Sequence, residues 1–286
     1  MKRIFKEGYP CHVYSKGYGG MMVFYSIADC LFYITLYSCL SRKYHIRTNA
    51  FSLMPNHTHS QQVVVSRQVF TAFNQELLSL FTRGYNIQHG RSGELFQKPF
   101  GSAPKIGGKS IKNNLSYINN NGAAGKLSKG VLDYRWNLMA YYDTDYPFSE
   151  KIVLNQASKR MRWAMRYVIE LHGKNRPLDY RIQAMLFKGL NAKERKQLID
   201  FIVVQYNFLN YSAITKHFGS FERALIAMDA NTGSEYDIIE EWEDYSVFRS
   251  MERNSLHRII RLLRRVTRDK KIIRQFLHLD YPTKHR

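Results

Sequence analysis

The chain has 286 residues, with 43 Lys+Arg against 23 Asp+Glu, a formal charge of +20 and a sequence pI of about 9.8. A hydrophobic fraction of 44% and an aromatic fraction of 14% suffice for a packed core, which excludes a basic disordered tail protein and suggests one large domain or two ordinary ones. Residues 1–150 carry 17 basic and 8 acidic side chains and residues 151–286 carry 26 and 15, so a polyanion is expected to touch both halves.

Nucleic acid, an anionic membrane and a ribosome-like acidic partner all satisfy that charge. Cys11, Cys30 and Cys39 form no Cys-x-x-Cys pair and are odd in number, which fits a reducing cytoplasm. Residues 21–40 imitate a membrane span, with Asp29 as their only charge, but they also hold Ser26, Thr35 and Ser38, and Ser26 is placed to cap a soluble helix. Lys2, Arg3 and Lys6 are followed by no apolar run before the glycines of residues 17–20, so secretion is not expected.

In chain order, residues 12–15 alternate as a strand and residues 16–20 read as a turn. Residues 26–44 have the apolar spacing of a helix with a thick buried face. Two extended runs follow, 45–54 and 57–65, separated by the turn pair Pro55-Asn56. A second helix is expected over 68–85, a strand over 94–100, and a short helix over 110–121 closed by Gly122 as a left-handed cap. The resulting βαββαβ order folds most simply as a ferredoxin-like antiparallel sheet with helices on one face, an α+β class. Residues 133–148 read as a connecting arm, and the pattern from 149 onward is mainly helical. The expected division is therefore 1–132, 133–148 and 149–286.

The chemistry concentrates in Met54-Pro55-Asn56-His57-Thr58-His59. Two histidines at i and i+2 on a strand share a face and can converge on one ion, whereas on a helix the same spacing splays them by about 200°. A half-buried edge strand with two solvated histidines is the alternative. The helix over 110–121 carries Tyr117 and Asn121 four residues apart, which sets a phenol and a carboxamide on one face.

The runs FSLMPNHTHSQQVVV (51–65), GELFQKPFG (93–101) and YINNNGAAG (117–125), with the opening HVYSKGYGGMMVFYS (12–26), resemble the REP-associated tyrosine transposases and the wider single-tyrosine HUH insertion-sequence transposases over roughly residues 8–130. The resemblance implies a single-stranded DNA endonuclease and transposase, with Tyr117 as nucleophile, His57 and His59 as metal ligands, and Asn121 completing the site. It further implies Mg2+ or Mn2+, a 5′-phosphotyrosine intermediate, and hairpin-forming repeat elements as substrate. It places the protein in a prokaryotic cytoplasm on the nucleoid, off the membrane, and leaves open a homodimer that shares its site between two chains. The chain departs from the family at Thr58, where a bulky apolar residue is usual, and at Gly122, where proline is usual; Asn119 and Asn120 are alternatives to Asn121 at the ion.

Further contacts are expected around this centre. Gln97 is a candidate for touching DNA, with Phe96 and Phe100 either core aromatics or base-stacking platforms, and His12 reads as a structural histidine rather than a third ligand. Lys105, Lys109 and Lys112 flank the glycine break before Tyr117 and are candidates for holding phosphates. In the second half, residues 193–209 read as an amphipathic helix, and 212–217, Phe218-Gly219 and 220–228 as helix, turn and helix. That unit offers Lys216, His217 and Arg223 to DNA if it is a helix-turn-helix, or is ordinary bundle architecture.

The acidic run 235–244 reads as a solvated face. Residues 255–274 read as a basic helix with Arg258, Arg261, Arg264, Arg265 and Arg268 turned to phosphates, a membrane-surface helix being the alternative. By resemblance, this added region helps select the repeat element. Two other functions remain open: a catalytically silent or regulatory DNA-binding protein of the same fold, and a rolling-circle-type nicking enzyme. For the latter, the absence of a helicase P-loop of the G-x-x-x-x-G-K-S/T type removes one version.

Overall fold

The computed structural model describes residues 4–230, so the acidic run 235–244 and the basic stretch with Arg258, Arg261, Arg264, Arg265 and Arg268 lie outside the described residues. Four strands, β1 (Cys11–Lys16), β2 (Arg47–Met54), β3 (His57–Val63) and β4 (Gly101–Pro104), form one sheet in the order β2-β3-β1-β4, every neighbouring pair antiparallel. With α1 (Ile27–Tyr44) between β1 and β2 and α2 (Arg67–Gln88) between β3 and β4, this is the ferredoxin-like βαββαβ order expected. The chain is thus an α+β protein with a helical C-terminal region.

Ser26 starts α1 as a full capping box: its hydroxyl accepts from the Asp29 N–H at 3.2 Å, and Asp29 Oδ2 accepts from the Ser26 N–H at 2.8 Å. Asp29 does more than cap. Its other oxygen accepts from His89 Nε2 at 2.9 Å, just past the end of α2, and from the Tyr180 hydroxyl at 2.8 Å, on the first residue of α5 (Tyr180–Phe187). One buried carboxylate therefore ties together the ends of three helices. Asp29→Ala should cost about 3 kcal/mol, since it loses a cap and strips two donors of their acceptor. Chemical denaturation would measure the loss, and an unchanged midpoint would contradict it.

Pleating divides the sheet into two working faces. Thr48, Thr58 and Gln62 point to α1 and α2: Tyr37 Oη lies 2.8 Å from Thr48 Oγ1, and Gln62 exchanges amide hydrogen bonds with Asn74 at 2.9 and 3.0 Å. His57, His59 and Gln61 alternate with these and take the other face, which α3 (Gly108–Ala124) covers.

Two expectations are corrected. The fourth strand is Gly101–Pro104, not 94–100. Leu95 and Phe96 are consecutive and both buried, which a pleat turns to opposite sides, and Pro99 has no N–H to give a ladder. That segment instead crosses the end of β1, with the Gln97 N–H donating to Lys16 O at 2.8 Å. Strand pairing waits for Gly101, opposite Tyr14, where any Cβ would stand 2.1 Å from the tyrosine ring. Nor does Gly122 end the third helix, which runs on to Ala124. A Cβ at 122 would lie 2.3 Å from Tyr134 Cγ, so the glycine lets Tyr134 press on α3 while its hydroxyl donates to Leu53 O on β2 at 2.7 Å.

Residues 131–141 form three single turns of 3-10 helix, Val131–Asp133, Arg135–Asn137 and Met139–Tyr141, that bury Val131, Leu138 and Met139. Arg135 and Tyr141 meet the buried carboxylate of Asp200. Asp200 lies in α6 (Ala192–Gln205), which packs on α4 (Lys159–Gly173). These helices lie on the α1 side, where the Leu178 N–H donates to Thr35 Oγ1 at 3.0 Å. The last two, α7 (Tyr211–Phe218) and α8 (Phe221–Asp229), lie on the α3 side. They are reached through Leu209 and Asn210, which pair with the edge of β2 at Thr48. Among the described residues no helix is long and apolar enough to cross a membrane.

Candidate active site

His57 and His59 share the α3 face of β3, as i and i+2 residues of a strand must. Both are buried, and their ring centres are 4.8 Å apart. His57 Nδ1 lies 2.6 Å from Asn56 Oδ1, an atom that only accepts, so the imidazole proton sits on Nδ1 and the Nε2 lone pair is the donor atom. His12 comes from β1, opposite Gln61, and its Nε2 lies 2.9 Å from His59 Nδ1. With His59 donating from Nδ1 to His12, both β3 histidines present Nε2. Burial pushes the His12 imidazolium down to about 3 and that of His59 well below its ordinary range, helped at His59 by His57 and His12. Neutral imidazole is the form that binds a cation.

Tyr117 approaches from the opposite layer. Its ring stands edge-on to His59 at 5.5 Å and to His12 at 5.8 Å between centres. Ala50 on β2 is small enough for α3 to seat Leu115, Tyr117 and Ile118 against it. One step earlier along the helix, Gln61 Nε2 donates to Asn114 Oδ1 at 2.9 Å. Strand and helix therefore run in step, Asn114 with Gln61 and Tyr117 with His59. A strand advances about 6.6 Å in two residues and a helix about 6 Å in four, so Asn121 falls at the level of His57. Asn120 borders that face of the helix. Asn119 is turned about 200° from Tyr117 and its carbonyl takes the Asn137 amide at 2.9 Å; it faces away from the histidines.

Among the described residues no group of three His, Cys, Asp or Glu is arranged to hold a metal. A divalent ion here would rest on two imidazoles, with the Asn121 carboxamide and substrate oxygens completing its shell. The Asn56 acceptor behind His57 is the supporting hydrogen bond such a ligand uses, so these residues fit the ion.

The remaining candidates divide. Lys109 and Lys112 are exposed on the first turns of α3. Lys105 lies beside Cys11, at the end of β1 away from His57, and burial lowers its pKa. Gln97 is half-buried at the His57 end, where its backbone meets Lys16, the residue opposite His57. Phe96 and Phe100 are buried core aromatics, which removes them as stacking platforms. Lys216 and Arg223 are exposed on α7 and α8, and those helices pack on α3. His12 was legible as a structural histidine but not as the neighbour of His59; the central position of β1 beside β3 in a βαββαβ sheet is the signal that finds it.

Compared with protein-family models the chain finds no match, and compared with curated proteins it finds none either. Among solved structures it is similar to a REP-associated tyrosine transposase bound to a REP hairpin, at 13% identity and a TM-score of 0.42, over 56% of this chain and 96% of that one.

Proposed function

We propose that the protein is a transposase that cleaves and rejoins single-stranded DNA, with Tyr117 as its nucleophile and repeat elements that form hairpins as its substrate. The observation that carries this reading is the seating of Tyr117 edge-on to His59, one strand step from His57. The Tyr117 phenol gives its proton to water and its oxygen attacks the scissile phosphorus. The bond to the 3′ oxygen breaks, that oxygen takes a proton from solvent, and the 5′ end remains on the tyrosine. One phosphoester bond replaces another, so a second 3′-hydroxyl can reverse the step without ATP. His57, His59 and Asn121 would hold Mg2+ or Mn2+, which polarises the phosphate and stabilises charge on its oxygens. Asn56 fixes the tautomer of His57, and His12 would fix that of His59 by accepting from its Nδ1.

A DNA-binding protein of this fold without cleavage is the second reading, favoured by the burial of Tyr117, which is 8% exposed. Incubation with single-stranded DNA carrying the repeats that flank its own gene, with manganese, separates the two. Strand transfer yields one product with a polymerase-extendable 3′ end and another whose 5′ end is blocked by protein. Retention of the DNA uncut in a stable complex would favour the second reading.

A further inference from the structure

The pair α7–α8 sits directly on α3, the helix that carries Tyr117. Phe218, the last residue of α7, packs with Ile111 against the cluster of Ala50, Leu115, Tyr117 and Ile118. The Lys112 ammonium lies 5.9 Å from the centre of the Phe218 ring. His217, next to Phe218, is half-buried, and that burial together with Lys216 and Lys112 holds its pKa below the ordinary value. Lys112 of α3 and Lys216 of α7, from segments a hundred residues apart, thus both bear on the neutral His217 at the end of α7. Among the described residues no carboxylate pairs with Lys112 or Lys216.

Like charges brought together repel unless an anion lies between them. In a chain of +20, a repeated phosphate is the anion that fits, and an aromatic edge beside the lysines suits a single strand better than a rigid duplex. Lys112 precedes Tyr117 by five residues, about 7.5 Å along the helix axis and about 140° around it, so a strand held at Lys112 reaches Tyr117 by curving around α3.

We infer that the end of α7 and the first turns of α3 form one wall of a single-strand channel. Lys112, Lys216 and His217 there hold backbone phosphates of the DNA beside the bond presented to Tyr117. The helix-glycine-helix pair is then part of the cleavage site and not a separate duplex-reading head. This rests on the strand-transfer reading, and it names where the flanking strand lies.

The full-length protein would be titrated with an oligothymidylate across a salt series, without divalent ion so that no cleavage intervenes. Lys112→Ala combined with Lys216→Ala should reduce the log-log salt slope by about 1.4, two contacts at about 0.7 each. It should also weaken low-salt binding at least about tenfold, leaving circular dichroism and melting unchanged. The same charge change on α4, Lys159→Ala with Arg166→Ala, should leave the slope near wild type. An unchanged slope in the α3–α7 variant, or an equal fall in the α4 control, overturns the wall. So does a loss confined to duplex DNA of matched sequence. Adduct formation with manganese is scored separately: a wild type that binds with the expected slope change but never forms an adduct refutes strand transfer and leaves the binding wall standing.

Discussion

Tyr117→Phe is expected to lower covalent attachment to single-stranded DNA by about 10⁴-fold or more, the scale on which loss of a nucleophile registers. Affinity for the same DNA should stay within about threefold. The ring is what packs against Ala50, Leu115 and Ile118 and stands edge-on to His59 and His12, so phenylalanine keeps every packing contact and deletes only the attacking oxygen. Denaturing electrophoresis reads the adduct and fluorescence anisotropy reads the affinity. A normal adduct from the phenylalanine variant would place the nucleophile elsewhere.

His57→Ala and His59→Ala should each abolish cleavage and weaken manganese binding by more than about tenfold, because each removes one of two imidazole donors. Each should also lower stability. His57 leans on Asn56 in the β2–β3 turn, whereas His59 is the partner of a second buried imidazole, His12. Removing His59 strands the His12 imidazole and removing His57 strands the Asn56 carbonyl, both buried, so each should cost about 1–3 kcal/mol. Calorimetric titration with manganese chloride reads the first effect and thermal melting of both variants the second. Unchanged manganese affinity in both would show that the pair is not a metal site.

The elements legible in the sequence are those whose local signals agree. Ser26 as a helix cap, the turn at Pro55-Asn56, and the period-2 register that turns His57 and His59 to one side all act within a few residues, and each stands in the structure as read. What was misread depends on contacts between distant segments. The fourth strand is displaced because Tyr14 demands a glycine opposite it, and the end of α3 is displaced because Gly122 serves Tyr134 rather than a cap. The placement of His12 against His59 and of Lys112 against α7 needs the strand order and the helix docking, and neither is written in local periodicity.

The sheet gives the proposed reaction its geometry. Hydrogen bonds of the antiparallel ladder fix β3 between β1 and β2, so the two histidines ride on an interior strand. The amide of Gln61 holds α3 in step with that strand from one helical turn before Tyr117. The proposed nucleophile and the candidate ion site are thus carried by two regular elements locked to each other, which suits in-line attack better than loops would.

The central claim, that Tyr117 becomes covalently joined to DNA, is tested most directly by mass spectrometry of the adduct. The full-length protein would be incubated with manganese and single-stranded DNA bearing the repeats beside its own gene, then digested with nuclease and trypsin. Cleavage after Lys112 and Lys126 isolates residues 113–126, a peptide that contains Tyr117 as its single tyrosine. The account expects a nucleotide 5′-phosphate on that peptide, localised by fragmentation to Tyr117. A nucleotide on any other peptide, or DNA cut with no nucleotide on the protein, would contradict it.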